Sequence, residues 1–243
     1  MIIDSHCHAG NFSPLFAGDH VPADLLTAHG EAGVDAAMLS ILNRDNMAEA
    51  NDRTRHACER SEGRLYGHLY LNPHSVAGAL QEIDRCSQLE CFRGVKLHPS
   101  EDAWFPYMKQ YFPIYARLEE LGLPILFHSG THPHSNPLAI AYAAKHFPGI
   151  PFILGHFGLA DLSWECFPAA DLSENVYVDT TANPMVRVMS EWLNIFGADR
   201  MLWGSDFPFY NVRYELAKLD FLGVSGPMRE RILGANARRI FRL

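Results

Sequence analysis

The chain has 243 residues, with 20 basic and 28 acidic side chains and a formal net charge of −8. Apolar residues make up 48% and charged residues 20%, a balance that is typical of folded globular proteins and excludes disorder and collagen-like repeats. The acidic surplus argues against a nucleic-acid groove, and charges interrupt every long apolar run, so we expect no nucleic-acid partner and no membrane span.

The cysteines and the first residues indicate the expected compartment. The five cysteines form no CxxC pair and are odd in number, which argues against a disulfide framework. The opening residues MIIDSHCH lack the basic head and apolar stretch of a secretory signal. We therefore expect a reduced, cytoplasmic protein.

Short apolar runs recur along the chain, each followed by a polar stretch with helical spacing. Because the runs are apolar on both faces, they predict buried parallel strands rather than half-exposed antiparallel ones. The predicted strands span residues 1–8, 34–41, 64–73, 92–99, 124–130, 151–158, 176–181 and 200–208.

Apolar residues at intervals of three and four predict helices between these strands. Glycine follows two of the helical segments at the point where a helix would stop. The clearest predicted helices are 79–90, 115–121 before Gly122, 186–196 before Gly197, and 227–241, which opens at Pro227.

Eight strands alternating with helices in about 240 residues predict a (β/α)8 TIM barrel, distorted and folded as a single domain over residues 1–243. A doubly wound open sheet is the main alternative. That fold would normally place a glycine-rich phosphate turn after the first strand, where this chain has HCHAGNF. The barrel is therefore the favoured prediction.

Histidines and one aspartate stand at the carboxyl ends of the predicted strands. The first strand ends in His6 and His8, the fifth in His128, the sixth in His156, and the eighth in Asp206. Alternation along a strand places His6 and His8 on the same face. Because these strand ends converge at one mouth of a parallel barrel, the five side chains predict a metal site suited to zinc, or less selectively to manganese, iron or nickel.

Other residues are candidates for binding substrate or supporting the site. Lys96 and His98, in GVKLHP, share a face near the end of the fourth strand. Lys96 could bind an anionic substrate group, be carboxylated and bridge two metals, or pair with a buried carboxylate. Asn11 and Trp104, in loops after the first and fourth strands, could line the pocket or pack a lid.

Two aspartates could orient the imidazoles. Asp4 is expected to lie on the face of His6 and His8, but deeper, and to hold a ligand imidazole from behind. Asp179, on the seventh strand, could do the same. No chemistry is assigned to the cysteines.

The sequence resembles the amidohydrolase superfamily, and within it the amidohydrolase-2 group of decarboxylases and hydrolases. The resemblance is carried, in order, by IIDSHCH, GVKLHP, ILFHSG, ILGHFG, LWGSDFP and the closing ILGANARRIFRL. It implies that His6, His8, His128 and Asp206 ligate one divalent metal, zinc or alternatively manganese. It also implies that His156 orients or deprotonates the metal-bound water, and a second metal could recruit Lys96 or His156.

These residues favour a metal-dependent hydrolase. A metal-activated water would cleave a C–N or C–O bond of a small, carboxylated substrate, with Asp206 or His156 accepting the proton. The alternative is nonoxidative decarboxylation of a small unsaturated or aromatic acid at the same site. A metal-free lactonase and a non-catalytic metal-binding protein are further hypotheses. The sequence does not fix the oligomeric state, and a homodimer is considered only because dimers are the commonest assembly.

Overall fold

A sheet of eight parallel strands forms the centre of the molecule, and each strand pairs with the next barrel strand along the chain. The computed structural model describes residues 1–11, 19–43 and 45–243. A separate pair of short antiparallel strands follows the first strand. The strands are β1 (Ile3–His8), β2 (Gly10–Asn11), β3 (Asp19–His20), β4 (Ala36–Ser40), β5 (Leu65–Tyr70), β6 (Phe92–Leu97), β7 (Ile125–His128), β8 (Phe152–Gly155), β9 (Val176–Asp179) and β10 (Met201–Leu202).

Backbone hydrogen bonds join the two ends of this sheet. Ser5 N donates to Trp203 O at 3.1 Å, and Asp206 N donates to His6 O at 2.8 Å. The second bond lies beyond the last residue of β10, so the junction extends to the edge where the predicted site residues stand. The predicted distorted (β/α)8 barrel is therefore confirmed.

Helices follow the barrel strands and pack around them. They are α1 (Pro22–Ala32), α2 (Met47–Glu59), α3 (Val76–Cys86), α4 (Phe112–Leu121), α5 (Pro137–Ala144), α6 (Leu159–Leu162), α7 (Cys166–Leu172), α8 (Val186–Phe196), α9 (Val212–Phe221), α10 (Gly226–Glu230) and α11 (Asn236–Phe241). The predicted helix 227–241 consists of α10 and α11 joined by the π-helical turn Arg231–Ala235. Among the helices that the structure describes, none is both long enough and apolar enough to cross a membrane.

Each predicted strand contains an observed one, but most observed strands end earlier. The largest difference is at residues 200–208, where only Met201–Leu202 is a strand. Past this strand, Asp206 has a left-handed φ of +53°. The chain therefore leaves extended geometry before it reaches the predicted site residue.

The apolar residues form two main layers. The larger layer lies between the strands and the surrounding helices. The smaller layer fills the barrel at the end opposite the histidines, where strand residues meet the last helix. Its fully buried members include Ile3, Met38, Leu126, Ile153, Leu202, Ala237 and Phe241.

A β-bulge in β1 changes the direction of its side chains. Asp4 pairs with Ala37 and Cys7 pairs with Leu39, so β1 has one extra residue between these pairs. The prediction that Asp4 shares a face with the site histidines is wrong for this reason. Asp4 Oδ2 instead accepts a hydrogen bond from His29 Nε2 of α1, at 2.9 Å.

Candidate active site

The barrel brings the predicted site residues to one mouth. His6 and His8 come from β1, and His128 is the last residue of β7. His156 directly follows β8, and Asp206 lies four residues beyond β10. The carboxyl ends of parallel strands meet at this edge, which explains why residues so distant in sequence converge.

Asp179, at the end of β9, sets the protonation of His6. Both side chains are completely buried, and His6 Nδ1 lies 2.8 Å from Asp179 Oδ2. A carboxylate accepts hydrogen bonds, so the proton of the neutral imidazole lies on Nδ1. The Nε2 lone pair of His6 is therefore directed away from Asp179, and Asp179 makes the imidazole contact that was expected of it.

Thr181 extends the same arrangement to His156. Its hydroxyl donates to Asp179 Oδ1 at 2.6 Å, and His156 Nδ1 lies 3.0 Å from the same hydroxyl oxygen. Because the hydroxyl proton is already used, His156 Nδ1–H is the donor to Thr181. The backbone N–H of His156 also donates to Asp179, at 2.7 Å. One carboxylate thus orients two of the predicted site histidines.

Asp206 lies between three imidazoles. Its Oδ1 is 3.7 Å from His6 Nε2 and 3.5 Å from His8 Nε2, while its Oδ2 is 3.9 Å from His156 Nδ1. Burial raises the pKa of Asp206 well above its ordinary value, and the positive charge of Lys96 opposes this shift. The carboxyl group is therefore held in a setting that favours its protonated form.

The donor atoms fit a divalent metal. His8 Nδ1 lies 3.3 Å from the carbonyl oxygen of Ser40, which leaves Nε2 of His8, like Nε2 of His6, as the lone-pair nitrogen. Two donors bound about 2.1 Å from one tetrahedral ion lie about 3.4 Å apart. The separations of 3.5 and 3.7 Å from Asp206 Oδ1 are close to that value.

Among the described residues, donor atoms of His6, His156 and Asp206 lie within 4.8 Å of one another. His128 stands beside this group. Its Nε2 hydrogen-bonds the hydroxyl of Thr131 at 2.9 Å, and its ring centroid is 4.7 Å from that of His156. His156, rather than His128, therefore groups with His6 and Asp206 in the structure. The ligand role of His128 stays a prediction.

Lys96 brings a positive charge into the same site. The side chain is 1% exposed, and its Nζ lies 2.8 Å from His6 Nε2. Burial lowers the pKa of Lys96 to about 8, against the opposing effect of Asp206 and Asp179. The predicted pairing with a carboxylate is not the observed contact, because the hydrogen bond goes to an imidazole.

The site histidines are kept neutral. Burial, followed by the nearby charge of Lys96, lowers the pKa of His8 and of His128 to about 3. Burial also lowers the pKa of His156 well below its ordinary value. Neutral imidazoles are the form that binds metals, and they are poor proton donors.

The remaining candidates occupy different surroundings. His98 stacks on His128 with ring centroids 4.0 Å apart and planes inclined by 12°. Trp104 is 2% exposed and packs against Tyr111 in the core, which accounts for its burial without a substrate. Asn11 ends β2, and its side chain lies outside the described structure.

Two glycines lie against His6, and their lack of a side chain makes room for its imidazole. A Cβ at Gly204 would lie 2.9 Å from the Cβ of His6 and 2.7 Å from Thr181 Cγ2. A Cβ at Gly155 would lie 2.6 Å from the carbonyl oxygen of Phe127 and 3.1 Å from His6 Cε1. Side chains at these positions would displace the imidazole.

Asn183 is a supporting residue that sequence reasoning missed. It follows β9, and its amide Nδ2 lies 3.0–3.1 Å from the carbonyl oxygens of His156, Phe157 and Leu159. These three residues have left-handed φ values of +47° to +63°. Such a conformation is unfavourable for residues with side chains, so the amide stabilises the turn that holds His156.

A buried ion pair supports the loop that carries Asn183. Lys218 Nζ of α9 lies 2.5 Å from Glu215 Oε2 and donates to the carbonyl oxygen of Thr180, also at 2.5 Å. It also donates to the carbonyl oxygen of Asn183, at 3.2 Å. The sequence offered no signal for these contacts beyond two charges one helical turn apart.

We expect Asn183→Ala to lower the free energy of unfolding by about 3 kcal/mol, because it leaves buried carbonyl groups without their donor. Chemical denaturation followed by circular dichroism measures this change. Asn194→Ala, at an exposed position of α8, is the matched control. A loss no larger than that of the control would show that the turn holds without the amide.

Comparisons with known proteins find similar sequences over most of the chain. The family profile described as "Amidohydrolase" matches residues 3–243. The γ-resorcylate decarboxylase of Rhizobium radiobacter is 24% identical over 80% of this chain and 75% of its own length.

Solved structures share the fold. A 2,6-dihydroxybenzoate decarboxylase in complex with 2,6-dihydroxybenzoate has a TM-score of 0.82 at 17% identity, covering 100% of this chain and 99% of its own. The dihydroxybenzoic acid decarboxylase of Polaromonas sp. JS666, with bound manganese and the inhibitor 2-nitroresorcinol, has a TM-score of 0.81 at 18% identity, covering 100% and 97%.

Proposed function

The chain belongs to the amidohydrolase family, and from this premise we propose that it is a metal-dependent, nonoxidative decarboxylase of a small hydroxylated aromatic acid. The family membership expected from the sequence motifs is confirmed. The γ-resorcylate and dihydroxybenzoate decarboxylase relatives favour decarboxylation, the alternative that the sequence left open, and the hydrolytic reaction is not confirmed. The proposal extends to the whole span of residues 1–243 as one catalytic domain.

The observation that carries the proposal is the position of the Asp206 carboxyl group. It is 6% exposed and lies 3.5–3.9 Å from imidazole nitrogens of His6, His8 and His156. Burial raises the pKa of Asp206 and lowers that of His156, so the carboxyl group rather than the imidazole retains a proton that can be transferred. Decarboxylation needs such an acid, because the departing carboxyl group is replaced by a proton.

His6, His8 and Asp206 would hold the divalent metal, with His128 or His156 as a further ligand. Manganese is present in the related Polaromonas structure, and a nitrogen and oxygen donor set also accepts zinc. A bound ion would supply Lewis-acid chemistry toward the oxygen atoms of the acid. The predicted second metal at Lys96 or His156 stays a prediction.

Asp206 would carry out the proton transfer. With Oδ1 facing His6 and His8, the other oxygen, Oδ2, would carry the proton and donate it to the ring carbon that bears the carboxylate, which an electron-donating hydroxyl group makes basic. The bond between the ring and the carboxylate then breaks, its electron pair returns to the ring, and carbon dioxide leaves. Asp206 regains a proton from water. Lys96 and His98, already candidates for substrate contacts, would bind the acid.

The direct test is incubation of the purified protein with Mn²⁺ and 2,6-dihydroxybenzoate. We expect equal amounts of carbon dioxide and resorcinol, measured by coupled assay and liquid chromatography, and no release after chelation of the metal. A parallel set of amides and lactones tests the hydrolytic alternative. Consumption of those substrates without release of carbon dioxide from aromatic acids would overturn the proposal.

A further inference from the structure

Lys96 donates a hydrogen bond to the lone pair of His6 Nε2, which a metal would need. Asp179 holds the proton of His6 on Nδ1, so Nε2 of His6 is an acceptor. Lys96 Nζ, 2.8 Å away, donates to it. The nitrogen that faces Asp206 is therefore already bound to a cationic group of the chain itself.

The ammonium group has donors to spare. An ammonium carries three N–H bonds, and in the described part of the chain its hydrogen-bond partner is His6 Nε2. Lys96 is 1% exposed, so the remaining donors of its ammonium group have little access to water. A buried cation with unused donors is stabilised by an anion that accepts from it.

We propose that Lys96 and the divalent metal compete for Nε2 of His6, and that the substrate carboxylate relieves this competition by drawing the ammonium group to itself. Metal and carboxylate then bind cooperatively. The inference rests on the proposed function for the identity of the metal site and of the acid.

Charge and geometry both support this competition. One lone pair cannot accept from an ammonium group and coordinate an ion at the same time. Even after Lys96 releases His6, two neighbouring cations in a buried site repel each other. A carboxylate that binds Lys96 neutralises one of them, and linkage requires that the metal strengthen carboxylate binding by the same factor.

The test compares Mn²⁺ affinity of the wild type and Lys96→Met by isothermal titration calorimetry, without any substrate. We expect Lys96→Met to bind Mn²⁺ about tenfold more tightly, within the usual range of coupling between sites. Benzoate should tighten Mn²⁺ binding by the wild type but not by Lys96→Met, and neutral phenol should affect neither protein. Lys109→Met, at an exposed position, is the control and should behave as the wild type.

Lys96→Gln serves as a second variant, and circular dichroism establishes that each variant is folded. Unchanged Mn²⁺ affinity in both folded variants would overturn the proposal. Weaker affinity, with a requirement for bicarbonate in the wild type, would indicate instead a carboxylated Lys96 that bridges two metals. These titrations need no turnover, so a failure to release carbon dioxide would remove the proposed reaction without deciding the competition.

Discussion

Asp206→Asn is expected to lower the rate of decarboxylation about 10³-fold while the protein remains folded. The amide has nearly the shape of the carboxyl group but cannot donate a proton to carbon, and general acid catalysis contributes about 10²–10⁴-fold. Its oxygen can still accept hydrogen bonds and face the imidazoles. The measurement is kcat for 2,6-dihydroxybenzoate at saturating Mn²⁺.

Two measurements make this result specific. Asp171→Asn, at an exposed position of α7, should retain the wild-type rate. Mn²⁺ titration of Asp206→Asn shows whether the metal is still bound at the concentration used. A folded, metal-loaded Asp206→Asn with a rate within threefold of the wild type would remove Asp206 as the acid.

Asp179→Asn is expected to reduce metal affinity and activity by about 10- to 100-fold, the usual effect of removing a carboxylate that orients a ligand histidine. An asparagine amide turned toward His6 Nδ1 would donate to it and move the imidazole proton to Nε2. The lone pair would then point away from Asp206. Thr181 and His156, which also depend on this carboxylate, would lose alignment with it.

Metal titration and the pattern of His6 ring nitrogens in ¹⁵N NMR check this prediction. The spectrum separates a changed tautomer from simple unfolding, since the protonated nitrogen has a distinct shift. Asp161→Asn, on the exposed side of α6, is the matched control. Wild-type metal affinity in Asp179→Asn would mean that backbone packing alone orients His6.

The sequence predicted the barrel and the mouth that carries the candidate site residues because both depend on a simple repeating pattern. Each short apolar run contains a strand, and parallel strands bring their ends together whatever the loops do. His6, His8, His156 and Asp206 converge for this reason. Asp179 was also identified from its place at a strand end.

Other features depend on single contacts that no pattern reveals. A completely buried strand has no polar alternation to show an extra residue, so the bulge that turns Asp4 toward His29 was not foreseen. The contact of His128 with Thr131 depends on loop geometry, as does the burial of Trp104. The homodimer and the cytoplasmic location stay predictions.

The junction between the first and last strands determines the stage of synthesis at which the candidate metal site can form. Ser205 N donates to Asp4 Oδ1 across 201 positions of the chain. On a ribosome, His6 and His8 emerge before Asp206 and before Ser205, the partner that aligns β1. A nascent chain thus carries the histidines without the geometry that would bind an ion. On the proposed ligand set, metal capture follows synthesis through Asp206, and a product terminated before this residue cannot hold the ion in this site.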